Sequence, residues 1–132
     1  MASKPRPFRL THVEPGETAR RNAIEQFLNY HPKVAWVQRL NVGAGKLLRA
    51  DGTHSQFIRF GFPGLTALLG QMRFDGRLLV IETKARIGTL TPEQIAFMVN
   101  VQRHGGVAGV ARTIEDAAAI IAGRRFEPGV TK

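Results

Sequence analysis

Glu82 and Lys84 stand one residue apart at the end of an apolar run, Leu78-Leu79-Val80-Ile81. Alternate side chains of a strand share a face, so this carboxylate and this ammonium would project together. Such a pair suits a divalent cation on the carboxylate and a phosphate on the ammonium. Magnesium prefers oxygen ligands, keeps several waters and is typically held by one or two carboxylates. A lysine beside it can orient water or offset charge developing on a phosphate. The chemistry this points to is hydrolysis of a phosphodiester by a metal-bound water. One carboxylate holds a divalent ion poorly, so partners are needed. Glu17 on the first helix, Gln94 one turn into the second, and the neighbourhood of residue 67 on the preceding strand are the candidates. Each has a plainer use: Glu82 and Lys84 as a strand-end ion pair, Glu17 as an acid favoured by a helix dipole, Gln94 as a solvated first-turn residue.

The elements that must position these residues can be read from periodicity and punctuation. Glu14-Pro15-Gly16-Glu17 opens a helix whose apolar Ala19, Ala23, Ile24, Phe27 and Leu28 recur at helical spacing, and His31-Pro32 closes it. Val34 to Leu40 reads as a strand, broken by Asn41-Val42-Gly43-Ala44-Gly45. Lys46 to Ala50 and Ser55 to Phe60 flank Asp51-Gly52 as a hairpin. After the turn Gly61-Phe62-Pro63-Gly64, residues Leu65 to Met72 and Arg77 to Lys84 form a second hairpin around Asp75-Gly76. Thr91-Pro92-Glu93 starts the second helix, with threonine as cap and proline at the first helical position, and His104-Gly105-Gly106 ends it. Val107 to Ala111 is a short buried strand, and Thr113 caps a last helix through Ala122. The fold class expected is α/β: a mixed sheet flanked by helices, with a β-hairpin insertion after the first core strand. The strand–helix–strand unit from Arg77 to Ala111 should give a parallel pair. Residues 1–13 read as a flexible basic arm, 14–123 as one domain and 124–132 as a basic tail.

The bulk numbers narrow the partners. With 132 residues and 43% apolar content, one domain with a real core is expected. No cysteine is present, which removes disulfides, zinc fingers and thiol catalysis. No apolar run approaches the ~20 residues of a membrane span, and no signal-peptide core follows Met1; a cytoplasmic protein with no membrane partner is expected. The net charge is +9, which favours a polyanionic partner, most often nucleic acid.

Three stretches together resemble a known family: "ETARRNAIEQFLNYHPKVAWVQRLNVGAG", "RFGFPGLTALLG" and "LLVIETKARIGTLTPEQIAFMVNVQRHGGVAGVARTIEDAAAII". They are similar to the virus-type replication-repair nuclease (VRR-NUC) domain, a branch of the restriction-endonuclease-like superfamily marked by Asp, a spacer, then Asp/Glu-x-Lys. The likeness covers residues 17–122. It implies that the family's helix-borne glutamate falls on Glu17, its Glu-x-Lys on Glu82, Thr83 and Lys84, and its following glutamine on Gln94. Glu82 and the Thr83 main-chain carbonyl would face a magnesium or manganese ion, and Lys84 the attacking water or scissile phosphate. In the family, the Gly-x-Pro-Gly turn leads to an aspartate three residues on, the main metal ligand. This chain carries Ala67 there. Asp75, in the hairpin turn far from Glu82, and Asp51, in an exposed tip, should not replace it.

The resemblance implies a metal-dependent DNA endonuclease selective for four-way (Holliday) junctions or flaps, working in DNA repair as a homodimer. Short stand-alone members are often phage or bacterial proteins. Arg39, Lys46, Arg49 and Arg59, with Lys84, are expected to hold DNA. Ala67 admits two explanations: an aspartate deliberately replaced to silence the enzyme, or a natural pseudo-nuclease that binds without cutting. A basic ribonucleoprotein component, stacking RNA bases on Phe57, Phe60 and Phe62, is the remaining expectation.

Overall fold

The computed structural model describes residues 16–40, 43–62, 64–85 and 88–130, apart from the side chains of 17, 43–47, 56–60 and 130. The arm at 1–13 lies outside them. In chain order the elements are α1 (Glu17–Tyr30), β1 (Val34–Arg39), β2 (Gly43–Leu48), β3 (His54–Phe60), β4 (Leu68–Met72), β5 (Leu78–Thr83), α2 (Pro92–Arg103), β6 (Val107–Ala111) and α3 (Ile114–Ile121), followed by a short 3-10 turn. The chain is thus α/β, in the order that periodicity predicts.

The end of α1 and the starts of α2 and α3 have local reasons. Proline at 32 pushes His31 to extended backbone, φ −74° and ψ 130°, and α1 ends there. At α2, Thr91 and Gln94 cap each other reciprocally: the Gln94 N–H donates to Thr91 Oγ1 at 3.1 Å, and the Thr91 N–H donates to Gln94 Oε1 at 3.0 Å. At α3, Thr113 Oγ1 accepts from the Asp116 N–H at 3.1 Å.

Four strands form one mixed sheet in the order β1-β4-β5-β6, and β2 and β3 make a separate antiparallel pair. β4 runs antiparallel to both β1 and β5, and β5 is parallel to β6, as the crossover through α2 requires. One hydrophobic layer joins Ile24 and Leu28 of α1 and Ala117, Ile120 and Ile121 of α3 to Leu68, Leu79 and Ile81. The other joins Met98 and Val101 of α2 to Val80, Ala108 and Phe126. Alternation along β5 therefore assigns odd residues to the α1–α3 face and even residues to the α2 face. Each fully buried Leu or Ile here contributes about 1.5–3 kcal/mol.

Three boundaries differ from the sequence reading. β2 begins at Gly43, inside the stretch read as a break, because Gly43 and Gly45 pair with Phe60 and Ile58 through backbone alone. β4 starts at Leu68, since Leu65 is bent into a turn by its N–H bond to the Phe62 carbonyl at 3.1 Å. The tail is anchored at Phe126, which is buried and whose N–H and carbonyl the Gln102 side-chain amide bonds at 2.7 Å and 2.9 Å.

Candidate functional site

Strand parity builds the site. Val80 faces α2, so Glu82 and Lys84 face α2 as well. On β4, Leu68 faces the opposite layer, which turns Ala67 toward α2. Leu68 pairs with Ile81, so Ala67 lies across from Glu82. The Ala67 N–H donates to Glu82 Oε2 at 3.1 Å, and Lys84 Nζ lies 3.7 Å from Glu82 Oε1. The Ala67 carbonyl accepts from the Leu40 N–H at 2.8 Å. Residue 67 is therefore fixed through both its backbone groups, one to β1's end and one to the carboxylate.

Glu82 is only 6% exposed. Burial pushes its carboxyl above the usual range; the Lys84 ammonium and the Ala67 N–H oppose that shift without cancelling it. A carboxyl raised in the folded state is favoured while both states are protonated, below about pH 4.5, and loses stability as pH rises through its folded pKa. Glu82→Gln should remove this slope. In paired urea titrations from pH 4 to 7, the present chain is expected to lose stability relative to Glu82→Gln as pH rises. A constant difference across the series would show that Glu82 ionises as it does in water.

The loop before Ala67 is anchored on the start of α2. Phe62 meets Phe97 edge to face, with ring centroids 5.2 Å apart. Gly64 has φ +92°, and a Cβ there would fall 2.3 Å from the Glu93 carbonyl oxygen. Downstream of Lys84, Arg112 Nη1 donates to the Ala85 carbonyl while its N–H donates to Asp116 Oδ2 at 2.9 Å. Sequence reading missed Arg112 as a clamp on this segment; the Thr113-x-x-Asp116 cap beside it was the available signal.

The other predicted residues divide. Gln94 sits in the first turn of α2, but its side-chain oxygen is engaged with Thr91 rather than with Glu82 or Lys84. Arg39 is committed to α1, ion-paired with Glu25 Oε2 at 2.7 Å and bonded to Asn22 Oδ1. Arg49 is exposed next to the β2–β3 loop, where Asp51 Oδ1 accepts from the Thr53 N–H at 2.9 Å and its hydroxyl at 2.6 Å. Asp75 pairs with Arg77 at 2.8 Å in the β4–β5 turn, away from Glu82 as expected. The side chains of Glu17, Lys46 and Arg59 lie outside the described residues, although Glu17 heads α1 and the other two fall in β2 and β3.

The described side chains do not by themselves make a metal centre. Among the described residues, no group of three His, Cys, Asp or Glu side chains could hold an ion. Glu82 supplies one carboxylate, and its two oxygens are already met by an ammonium and an N–H. Ala67, opposite it, has no donor atom. The chain matches no protein-family model and no curated protein. Among the described residues, no helix is long and apolar enough to cross a membrane.

Proposed function

We propose that this chain is a DNA-binding protein built on the frame of a restriction-endonuclease-like, metal-dependent endonuclease, silent because residue 67 is alanine. The supporting observation is that Ala67, Glu82 and Lys84 meet at one end of β4 and β5, in the arrangement a Glu-x-Lys centre uses, with one carboxylate missing. In this reading β2 and β3 are a hairpin insertion after the first core strand, bringing Lys46, Arg49 and Arg59 to DNA; Arg39 braces α1 instead. The substrate is branched DNA, a four-way junction or a flap. A homodimer would match paired cuts on a two-fold junction. Magnesium or manganese is the ion an aspartate at 67 would hold together with Glu82 and the Thr83 carbonyl, in the cytoplasm of a phage-infected or bacterial cell.

Junction cleavage by Ala67→Asp, with either ion, tests the proposal. Junction binding by this variant without any cutting would refute the catalytic part.

A second reading has its own observation. Lys84 and the Ala67 N–H satisfy Glu82 without any ion, as a pseudo-nuclease would require. Calorimetry with magnesium separates the two: a pseudo-nuclease gains nothing from Ala67→Asp, and a silenced enzyme gains a binding isotherm.

A further inference from the structure

The far end of the β4–β5 ladder carries a second concentration of charge. A cleft of about 410 Å3 opens there, lined by Lys33, Arg73, Phe74, Arg77, Arg124 and Arg125, among others, with Asp75 as the single acidic residue among the described residues of the lining. Arg77 is paired with Asp75 at 2.8 Å, and Arg124 with Asp116 at 3.4 Å. Among the described residues, the side chains of Lys33, Arg73 and Arg125 have no acidic partner. Three cations converge on one hollow, none of them ion-paired with an acidic side chain among the described residues.

Phe74 stands at the rim and has no folding reason to be there. Its side chain is 90% exposed, so burial returns nothing. Its φ is +75°, a left-handed backbone that a bulky residue adopts with strain and that glycine or asparagine would tolerate better. The Asp75 N–H donates to the Arg73 carbonyl at 3.0 Å, closing a three-residue turn that holds the ring outward. An exposed ring beside unpaired cations is what single-stranded nucleic acid requires: a face for a base and charge for the flanking phosphates. An acidic peptide would use the cations and leave the ring idle.

We propose that this cleft is a second nucleic-acid contact, in which Phe74 stacks on an unpaired base and Lys33, Arg73 and Arg125 hold the neighbouring phosphates. It rests on the nucleic-acid reading above but not on cleavage. The cleft lies ~20 Å from Ala67 at the ~3.3 Å rise of a strand. An unpaired strand of that length would connect the two ends of the molecule.

Fluorescence anisotropy tests it, with a labelled duplex carrying an eight-nucleotide unpaired strand and a blunt duplex of the same sequence. Phe74→Ala should weaken binding of the first about tenfold, the loss of one stacked base, and of the second less than twofold. The triple variant Lys33→Ala, Arg73→Ala, Arg125→Ala should reduce the slope of log affinity against log salt by about two. Phe74→Ala should melt no lower than the present chain, which separates lost contact from lost fold. The proposal is overturned if Phe74→Ala affects both probes equally or neither, if the triple variant keeps its slope, or if polyglutamate displaces the DNA at matched charge. Cleft variants that behave as expected while Ala67→Asp stays inert overturn only the cleavage reading; cutting by Ala67→Asp with an indifferent Phe74→Ala overturns only this one. Failure of the present chain to bind either probe overturns both.

Discussion

Ala67→Asp is expected to bind magnesium and cut branched DNA, and the present chain to do neither. The new carboxylate would leave a backbone already held on both sides, by Glu82 and by Leu40. Facing residues on antiparallel neighbours have Cβ atoms about 4.5–5.5 Å apart, close enough for two carboxylates to share one ion. The same closeness carries a penalty without metal, since two carboxylates at one site resist joint ionisation. The variant should therefore melt below the present chain in chelator and recover in magnesium, by about 2.7 kcal/mol when the ion is at 100 times its dissociation constant. Cleavage of a four-way junction should rise at least ~100-fold above background, the lower range for restoring one charge-stabilising group. Melting curves with and without the ion, read beside a cleavage gel, give two independent results. If magnesium leaves the melting unchanged and neither ion yields product, Glu82 and Lys84 are an ordinary ion pair.

Gly64→Ala should produce the largest loss of stability among single methyl additions to the site. The position combines a left-handed φ of +92° with a backbone oxygen 2.3 Å from where the methyl would stand. Left-handed backbone costs an alanine about 1–2 kcal/mol, and the clash forces either the loop or the start of α2 to move, so the total should reach about 2–4 kcal/mol. Gly129→Ala is the control, because a Cβ there meets nothing within 4 Å and φ is not positive. Urea midpoints for the two variants check this directly. In the Ala67→Asp background, Gly64→Ala should also weaken magnesium binding, because the displaced loop is the one that presents residue 67. Equal midpoints for Gly64→Ala and Gly129→Ala would mean that the loop is not anchored on Glu93.

Much of this arrangement is legible in the sequence because it follows from short-range rules. The run from Leu78 to Ile81 and the spacing of Glu82 and Lys84 give the strand and its shared face, and Thr91-Pro92 gives the start of α2. The Asp75-Gly76 turn sets the pairing that carries residue 67 opposite Glu82. What escaped depends on partners remote in the chain. Arg39 reads as a free cation until Glu25 and Asn22 of α1 are placed beside it. Gln94 reads as a site residue on family likeness, yet Thr91 three residues earlier already claims its amide oxygen. Phe126 sits in a basic stretch that looks like tail, and only Gln102 and the α2 layer make it core. Phe74 gave no signal, because nothing in a turn sequence announces an outward ring on left-handed backbone.

The double tether on residue 67 makes that position a fixed mount. With its N–H and carbonyl both taken, the direction of its Cβ is set by the sheet and not by whatever side chain it carries. Exchanging the side chain would then change the donor atom while keeping its bearing: oxygen for hard ions, imidazole nitrogen for zinc or nickel, thiolate sulfur for softer ions still. If the proposed centre is rebuilt, a single codon would select the element that it takes up.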